Sequence, residues 1–278
     1  MYLAHFGLLE YPFGLTPDTS YIYSASGHQE ALNTLLIALK SGEGFIKITG
    51  EVGMGKTLLC RRFMASLDEH HQIAYIPNPQ LDPRALLHAL AEELGVQDGP
   101  GEIYHIIRRI NRRLAERVAE DRSVVLCIDE AQSMPPLTLE SLRLLSNLET
   151  EKRKLLHIVL FGQPELDALL ARPSARQLRQ RIAFHCKMPG LKRDEMDHYL
   201  EHRLRAAGHH DASLFTPMAR RMMYLCSRGT PRLVNILANK SLMAAYGEGK
   251  PTVSARHVLR AAKDTPDVGR LTSWLPGV

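Results

Sequence analysis

From His28 to Lys40 the apolar residues Ala31, Leu32, Leu35, Leu36 and Leu39 recur every three or four positions, the spacing of one helix face, until Gly42 and Gly44 stop the pattern. FIKIT follows as a short buried strand. The alternation then repeats: a helix from Lys56, the strand IAYIP, helices around Leu86 and Ile107, and the strand SVVLCI ending at Ile128. A helix near Leu142, the strand LHIVLFG and short helical pieces lead into a last strand, IAFHCKM. Five apolar strands alternating with helices predict an α/β fold whose parallel sheet is covered on both faces, over residues 28–190. Beyond Leu191 only helical patterns remain, so a small helical domain is expected over 191–265, joined through PGLKRDE. Residues 1–27 read as an amino-terminal linker and 266–278 as a tail.

Composition narrows the function classes little. With 278 residues, 45% of them hydrophobic, the chain can build a full core, and disorder is not expected. Thirty-five Lys and Arg against thirty Asp and Glu leave a formal charge of +5, which permits an anionic partner without requiring one. Cys60, Cys127, Cys186 and Cys226 stand singly, without the spacing of a metal site or a disulfide framework, and are expected to be reduced and buried. The histidine doublets His70-His71 and His209-His210 fall in polar stretches where helices end, which points to solvated positions rather than metal ligands. No Lys or Arg precedes Lys40, unlike a secretory leader, and no apolar run approaches the roughly 20 residues of a membrane span. A cytoplasmic location is expected.

The chemistry concentrates after the first strand. Gly50, Glu51, Val52, Gly53, Met54, Gly55, Lys56, Thr57 and Leu58 satisfy G-x-x-x-x-G-K-T between a strand and a helix. Glycines let backbone N–H groups approach phosphate oxygens, and the helix that follows directs its positive end to the same place. Lys56 is suited to neutralising β- and γ-phosphates, and the Thr57 hydroxyl to ligating Mg²⁺. The strand VVLCI delivers Asp129 and Glu130 to its carboxyl end, where open α/β sheets bind ligands. There Asp129 is a candidate for the Mg²⁺ shell and Glu130 for the base that polarises a water attacking ATP. Gln163, at the end of LHIVLFG, suits the γ-phosphate or that water; a turn-stabilising role is the alternative. Arg181 in LRQRI is a candidate to reach a neighbouring subunit's nucleotide, with Arg176 and Arg179 competing and surface solvation as the plain reading. Arg232 opens a helix of the second domain.

These boxes carry a resemblance. FGLLEYPFGLTPDTSYIY, HQEAL, GEVGMGKT, IDEAQ, FGQPEL, LRQRI and GTPRLVN make the chain similar, over nearly its whole length, to AAA+ ATPases of the general secretion pathway protein A type. That ExeA-like group includes biogenesis ATPases of mannose-sensitive haemagglutinin (MSHA) pili. The resemblance implies a P-loop NTPase core of five parallel strands with a carboxyl-terminal helical lid. It puts Walker A on Lys56 and Thr57, Walker B on Asp129 and Glu130, sensor 1 on Gln163, an arginine finger on Arg181 and sensor 2 on Arg232. Glutamine replaces the asparagine commoner at sensor 1 in the wider superfamily. The implied cofactors are ATP or ADP with Mg²⁺, and the implied partners are further copies of the chain, as an oligomer or ring, together with pilus or secretion assembly proteins at the inner membrane. The linker would pack Pro12 and Phe13 by the adenine, with a simple core role equally open. Longer relatives of the secretion type continue into a membrane span and a peptidoglycan-binding domain, which the present sequence lacks, so the pilus-biogenesis relatives are favoured.

Two other functions fit the same boxes. A DNA-associated AAA+ ATPase would use the basic helix RRINRRLAERVAEDR, although Glu116 and Glu120 within it favour a solvated face. A nucleotide-gated scaffold with negligible turnover would keep the loop and have no need of Glu130 or a finger. An ABC-type protein is disfavoured because no LSGGQ-like signature appears.

Overall fold

A computed structural model describes residues 2–14, 23, 25–96, 103–145, 154–209, 212–266 and 268. Its described residues fall into two compact units, one from His28–Met188 and one combining Met1–Gly27 with Pro189–Val278. All but two residues of the 266–278 tail lie outside the described residues.

The first unit is an α/β sandwich. Strands β1 (Phe45–Thr49), β2 (His71–Ile76), β3 (Ser123–Ile128), β4 (Leu156–Gly162) and β5 (Phe184–Lys187) form one parallel sheet in the order β2-β3-β4-β1-β5. Each central strand sends alternate residues to opposite faces, as a pleat requires. Val124, Leu126 and Ile128 of β3 and Ile158 and Leu160 of β4 join one apolar cluster, while Val125, Cys127, Val159 and Phe161 join the other. Both faces are apolar because helices cover both, which is why these strands read as unbroken hydrophobic runs.

On the first face lie α4 (Pro83–Glu93), α5 (Ile103–Ala119), α6 (Pro136–Leu145), α7 (Glu165–Leu170) and α8 (Arg176–Arg181), contributing among others Leu86, Leu90, Ile110, Leu114 and Leu142. On the second lie α2 (Ser26–Lys40) and α3 (Lys56–Ala65), through Leu32, Leu35, Leu39, Leu59 and Phe63. Local chemistry sets where these helices begin: Asp82 caps α4 by accepting from the Ala85 amide at 2.8 Å, with Pro83 in the first turn. Register then places the site. Thr49 is level with Gly162 and Ile128 with Leu160, so Gly50, Asp129 and Gln163 all leave the sheet along one carboxyl edge.

The second unit is helical: α1 (Tyr2–His5), α9 (Arg193–Ala206), α10 (Pro217–Ser227), α11 (Pro231–Gly247) and α12 (Ala255–Lys263). Its core includes Tyr2, Phe6, Leu8 and Phe13 from the amino-terminal segment beside Leu200, Phe215, Met223, Leu237 and Val258. Arg203 donates to the carbonyls of Pro12 and Gly14 and, at 3.0 Å, to the Tyr199 hydroxyl, which donates in turn to Asn235 of α11 at 2.8 Å. Tyr2 reaches the same helix at Asn239, 2.6 Å away. The first residues of the chain are therefore part of this core.

Three expectations change. Cys60, Cys127 and Cys226 are buried, but Cys186 is half-buried because β5 is an edge strand. His71 starts β2 and meets Asp68 at 2.6 Å, and His209 meets the Phe6 carbonyl at 2.8 Å, so neither ring is simply solvated. His210 lies outside the described residues.

Gly229 precedes α11 with φ +74, and a methyl group there would stand 2.1 Å from the Leu191 carbonyl oxygen. That oxygen belongs to the residue whose amide donates to Gly229 at 2.8 Å, so the two segments are locked in contact. Gly229→Ala is expected to destabilise the helical unit by about 2 kcal/mol or more. Hydrogen exchange should quicken across α9, α10 and α11 before it changes in β1, β3 or β4; wild-type protection in those helices would contradict the packing described.

Candidate functional site

The loop between β1 and α3 is shaped by two left-handed glycines, Gly53 at φ 80 and Gly55 at φ 87, on either side of Met54. Alternating the backbone in this way turns successive N–H groups to one side and forms an anion-accepting concavity. Among the described residues, the amides of Gly53, Gly55, Lys56, Thr57 and Leu58 donate to no protein acceptor. Part of that set is the unpaired first turn of α3.

Lys56 is only 5% exposed, and its Nζ donates to the loop carbonyls of Gly50 at 2.8 Å and Glu51 at 3.1 Å. Burial pushes its pKa down, and the nearby carboxylates of Glu130, Asp129, Glu51 and Glu165 oppose that shift. A phosphate arriving at the loop would add counter-charge to that of these carboxylates and favour the ammonium further.

Thr57 Oγ1 donates to Asp129 Oδ2 at 2.6 Å, while Asp129 Oδ1 accepts from the Glu130 amide at 2.9 Å. Burial raises the Asp129 pKa; the bonds from Thr57 and the Glu130 amide pull it back, Glu130 raises it further and Lys56 lowers it. A hydroxyl and a carboxylate in contact form a hard oxygen pair, and no cluster of three or more His, Cys, Asp or Glu side chains suited to a metal occurs among the described residues. That donor set fits Mg²⁺, which keeps much of its shell as water and phosphate oxygen.

Glu130 holds a left-handed backbone, φ 50 and ψ 36, uncommon for a side chain of this size and unfavourable by about 1–2 kcal/mol. Its Oε2 accepts from Gln132 Nε2 at 2.5 Å and from Gln163 Nε2 at 3.1 Å. Gln132 Oε1 in turn accepts from the Gln163 amide at 2.9 Å. Among the described residues Oε1 of Glu130 has no partner. A methyl group on Gly162 would sit 3.3 Å from Gln132 Oε1 and 2.7 Å from Leu166, so the glycine makes room for this arrangement.

The structure thus brings together Lys56, Thr57, Asp129, Glu130 and Gln163, and adds Gln132, which sequence reasoning did not single out. Its signal was present in IDEAQ: a short 3₁₀ turn, Ala131–Ser133, folds that side chain back over Glu130. Arg181 is exposed at the carboxyl end of α8, as are Arg176 and Arg179 along it. Arg232 is exposed in the first turn of α11, in the helical unit. Pro12 and Phe13 are buried in that unit, where the Phe13 ring meets Phe215 edge-on at 6.1 Å, the core role left open above. In the basic helix α5, Arg113 pairs with Glu116 at 3.3 Å and Arg117 with Glu120 at 2.6 Å, and both arginines are half-buried.

The AAA domain family matches residues 39–170. General secretion pathway protein A of Aeromonas hydrophila is 39% identical over 282 aligned residues, covering 100% of this chain and 51% of that protein. The chain therefore spans about half the length of the curated relative it matches. Among solved structures, Cdc6p of Pyrobaculum aerophilum superposes with a TM-score of 0.70 at 18% identity, over 95% of this chain and 74% of that one. A Drosophila origin recognition complex bound to DNA gives 0.65 at 14% identity, over 91% and 64%, and the Thermotoga maritima RuvB branch migration motor 0.56 at 18%, over 88% and 72%. At such identities these three establish the fold alone.

Asp129 gives the site a measurable pH signature. Its folded pKa lies above the ordinary value, so the fold favours the protonated form; that stabilisation is complete below the unfolded pKa and is lost as pH rises through the folded pKa. Ionised Asp129 therefore burdens the empty protein at neutral pH. Asp129→Asn is expected to raise the melting temperature by a few degrees at pH 7, without nucleotide or Mg²⁺, and the gain should shrink toward pH 4. A constant difference across that range would contradict it.

Proposed function

The chain belongs to the AAA proteins of the general secretion pathway protein A type, and on that premise we propose that it binds ATP with Mg²⁺ at the glycine loop and hydrolyses it to ADP and phosphate. The observation that carries this reading is the half-anchored carboxylate of Glu130: two glutamine amides hold Oε2, and Oε1 stays open for a water beside the loop's unpaired amides.

In this reading the amides of the loop and Lys56 take the β- and γ-phosphates, and Lys56 leaves its carbonyl partners to do so. Thr57 and Asp129 would hold the Mg²⁺, which supplies positive charge to the phosphate oxygens. Glu130 Oε1 orients the water and takes its proton as the oxygen attacks the γ-phosphorus. The bond from that phosphorus to the β–γ bridging oxygen breaks, the bridging oxygen keeps the electron pair, and ADP leaves with its charge offset by Lys56. Gln163 fixes Glu130 on one side and Gln132 on the other, so both act as positioning residues. Arg232 is assigned a sensing role, and Arg181 is assigned to the nucleotide of a neighbouring copy.

The name of the Aeromonas relative supports a role in secretion. We assign the chain to powering or regulating assembly of a type II secretion or MSHA-like pilus apparatus, with partners at the inner membrane. No helix among the described residues is long and apolar enough to cross a membrane.

Two measurements test this. In phosphate-release assays Glu130→Gln should slow turnover about 100-fold or more while ATP still binds, and Gln132→Ala should lower kcat about tenfold at unchanged KM. Unchanged turnover in the Glu130 variant would point to a scaffold or another base. In addition, activity per subunit should climb with protein concentration and Arg181→Ala should flatten that climb; a rate already flat in the wild type removes the finger.

A further inference from the structure

Outside the phosphate-contacting residues, one histidine acts on the loop itself. His28, in the first turn of α2, places Nε2 2.9 Å from the carbonyl oxygen of Met54. A carbonyl can only accept, so Nε2 carries the proton in this contact. The approach is close: a methyl group on Gly55 would stand 2.9 Å from the same nitrogen.

The peptide that joins Met54 to Gly55 is trans, with its carbonyl and its N–H pointing to opposite sides. When His28 draws the Met54 carbonyl toward α2, the Gly55 amide is turned the other way, where it meets no acceptor among the described residues. Gly55 must lack a side chain to hold φ 87 beneath His28, and the same lack leaves this peptide plane little local restraint. A flipped plane would present a carbonyl dipole to the phosphates in place of an N–H. We propose that His28 is a positioning residue that locks the Met54–Gly55 peptide and so preorganises the loop for a nucleoside di- or triphosphate. The proposal rests on nucleotide binding at this loop and adds the device that readies it in the empty protein.

A neighbouring contact supplies the control. Arg62 Nη2 of α3 donates to Gln29 Oε1 of α2 at 3.1 Å, so α2 and α3 are also joined at a point that does not touch the peptide. If His28 served only to dock the helix, Gln29→Ala would mimic its loss.

Calorimetry with ADP and with ATP·Mg²⁺ on the whole chain tests the idea. His28→Ala should weaken both about tenfold, the size of one lost hydrogen bond, while kcat at saturating ATP stays within about twofold. His28→Gln, which carries an N–H at similar reach, should recover most of the affinity, and Gln29→Ala should leave it unchanged. A wild type that binds no nucleotide overturns this proposal together with the ATPase reading. A wild type that binds, with His28→Ala equally tight or Gln29→Ala equally weakened, overturns this proposal alone. Nitrogen NMR of the wild-type imidazole checks it without a variant: protonation at Nε2 is expected, and a proton held only on Nδ1 would overturn it.

Discussion

An ammonium buried at the end of a parallel sheet is the constraint from which this molecule's design follows. Lys56 retains 5% of its exposure, a position in which an unpartnered charge would cost several kcal/mol. The loop meets that demand with its own backbone, offering the Gly50 and Glu51 carbonyls. It can bend so far only through Gly53 and Gly55, and the same bend leaves a row of amides without acceptors among the described residues. Cation and amides thus answer to one geometry, which the flanking strand and helix hold in place: β1 sits between β4 and β5, and α3 packs Leu59 and Phe63 into the face below.

Much of this was legible in the residues alone. The runs FIKIT, SVVLCI and LHIVLFG announced strands buried on both faces, and the glycine spacing before Lys56 announced the loop. The order of strands was not legible, because hydrophobic periodicity says which faces are covered and nothing about which strand lies beside which. Gln132 was hidden for a related reason: its contribution depends on a three-residue 3₁₀ turn that reverses its direction toward Glu130, a tertiary fact without periodicity. His28 escaped because its partner is a main-chain carbonyl 26 residues away. The amino-terminal segment read as a linker since its aromatic residues follow no helical or strand period, yet Tyr2, Phe6 and Phe13 are core residues of the helical unit.

Polar side chains in the two units do similar work. In the sheet unit Gln132 and Gln163 steady a carboxylate whose backbone sits in a disfavoured conformation, offsetting part of that penalty with two hydrogen bonds. In the helical unit Arg203 donates to the Pro12 carbonyl and to the Tyr199 hydroxyl, which donates to Asn235 Oδ1, fixing the helix whose first turn carries Arg232. The helical network pairs its members throughout, whereas the sheet network leaves Oε1 of Glu130 open, and hydrogen-bonded networks of this kind specify an arrangement more sharply than apolar contact does.

The sheet ends at β5, four residues long, where His185 and Lys187 stand in the open and Lys47 of the adjacent strand is paired with Asp167 of α7. A border so short and so charged is a poor template for another extended chain. Contacts with other proteins at this margin are therefore left to side chains and helices, and the molecule is guarded there against the strand-to-strand accretion that leads to fibres.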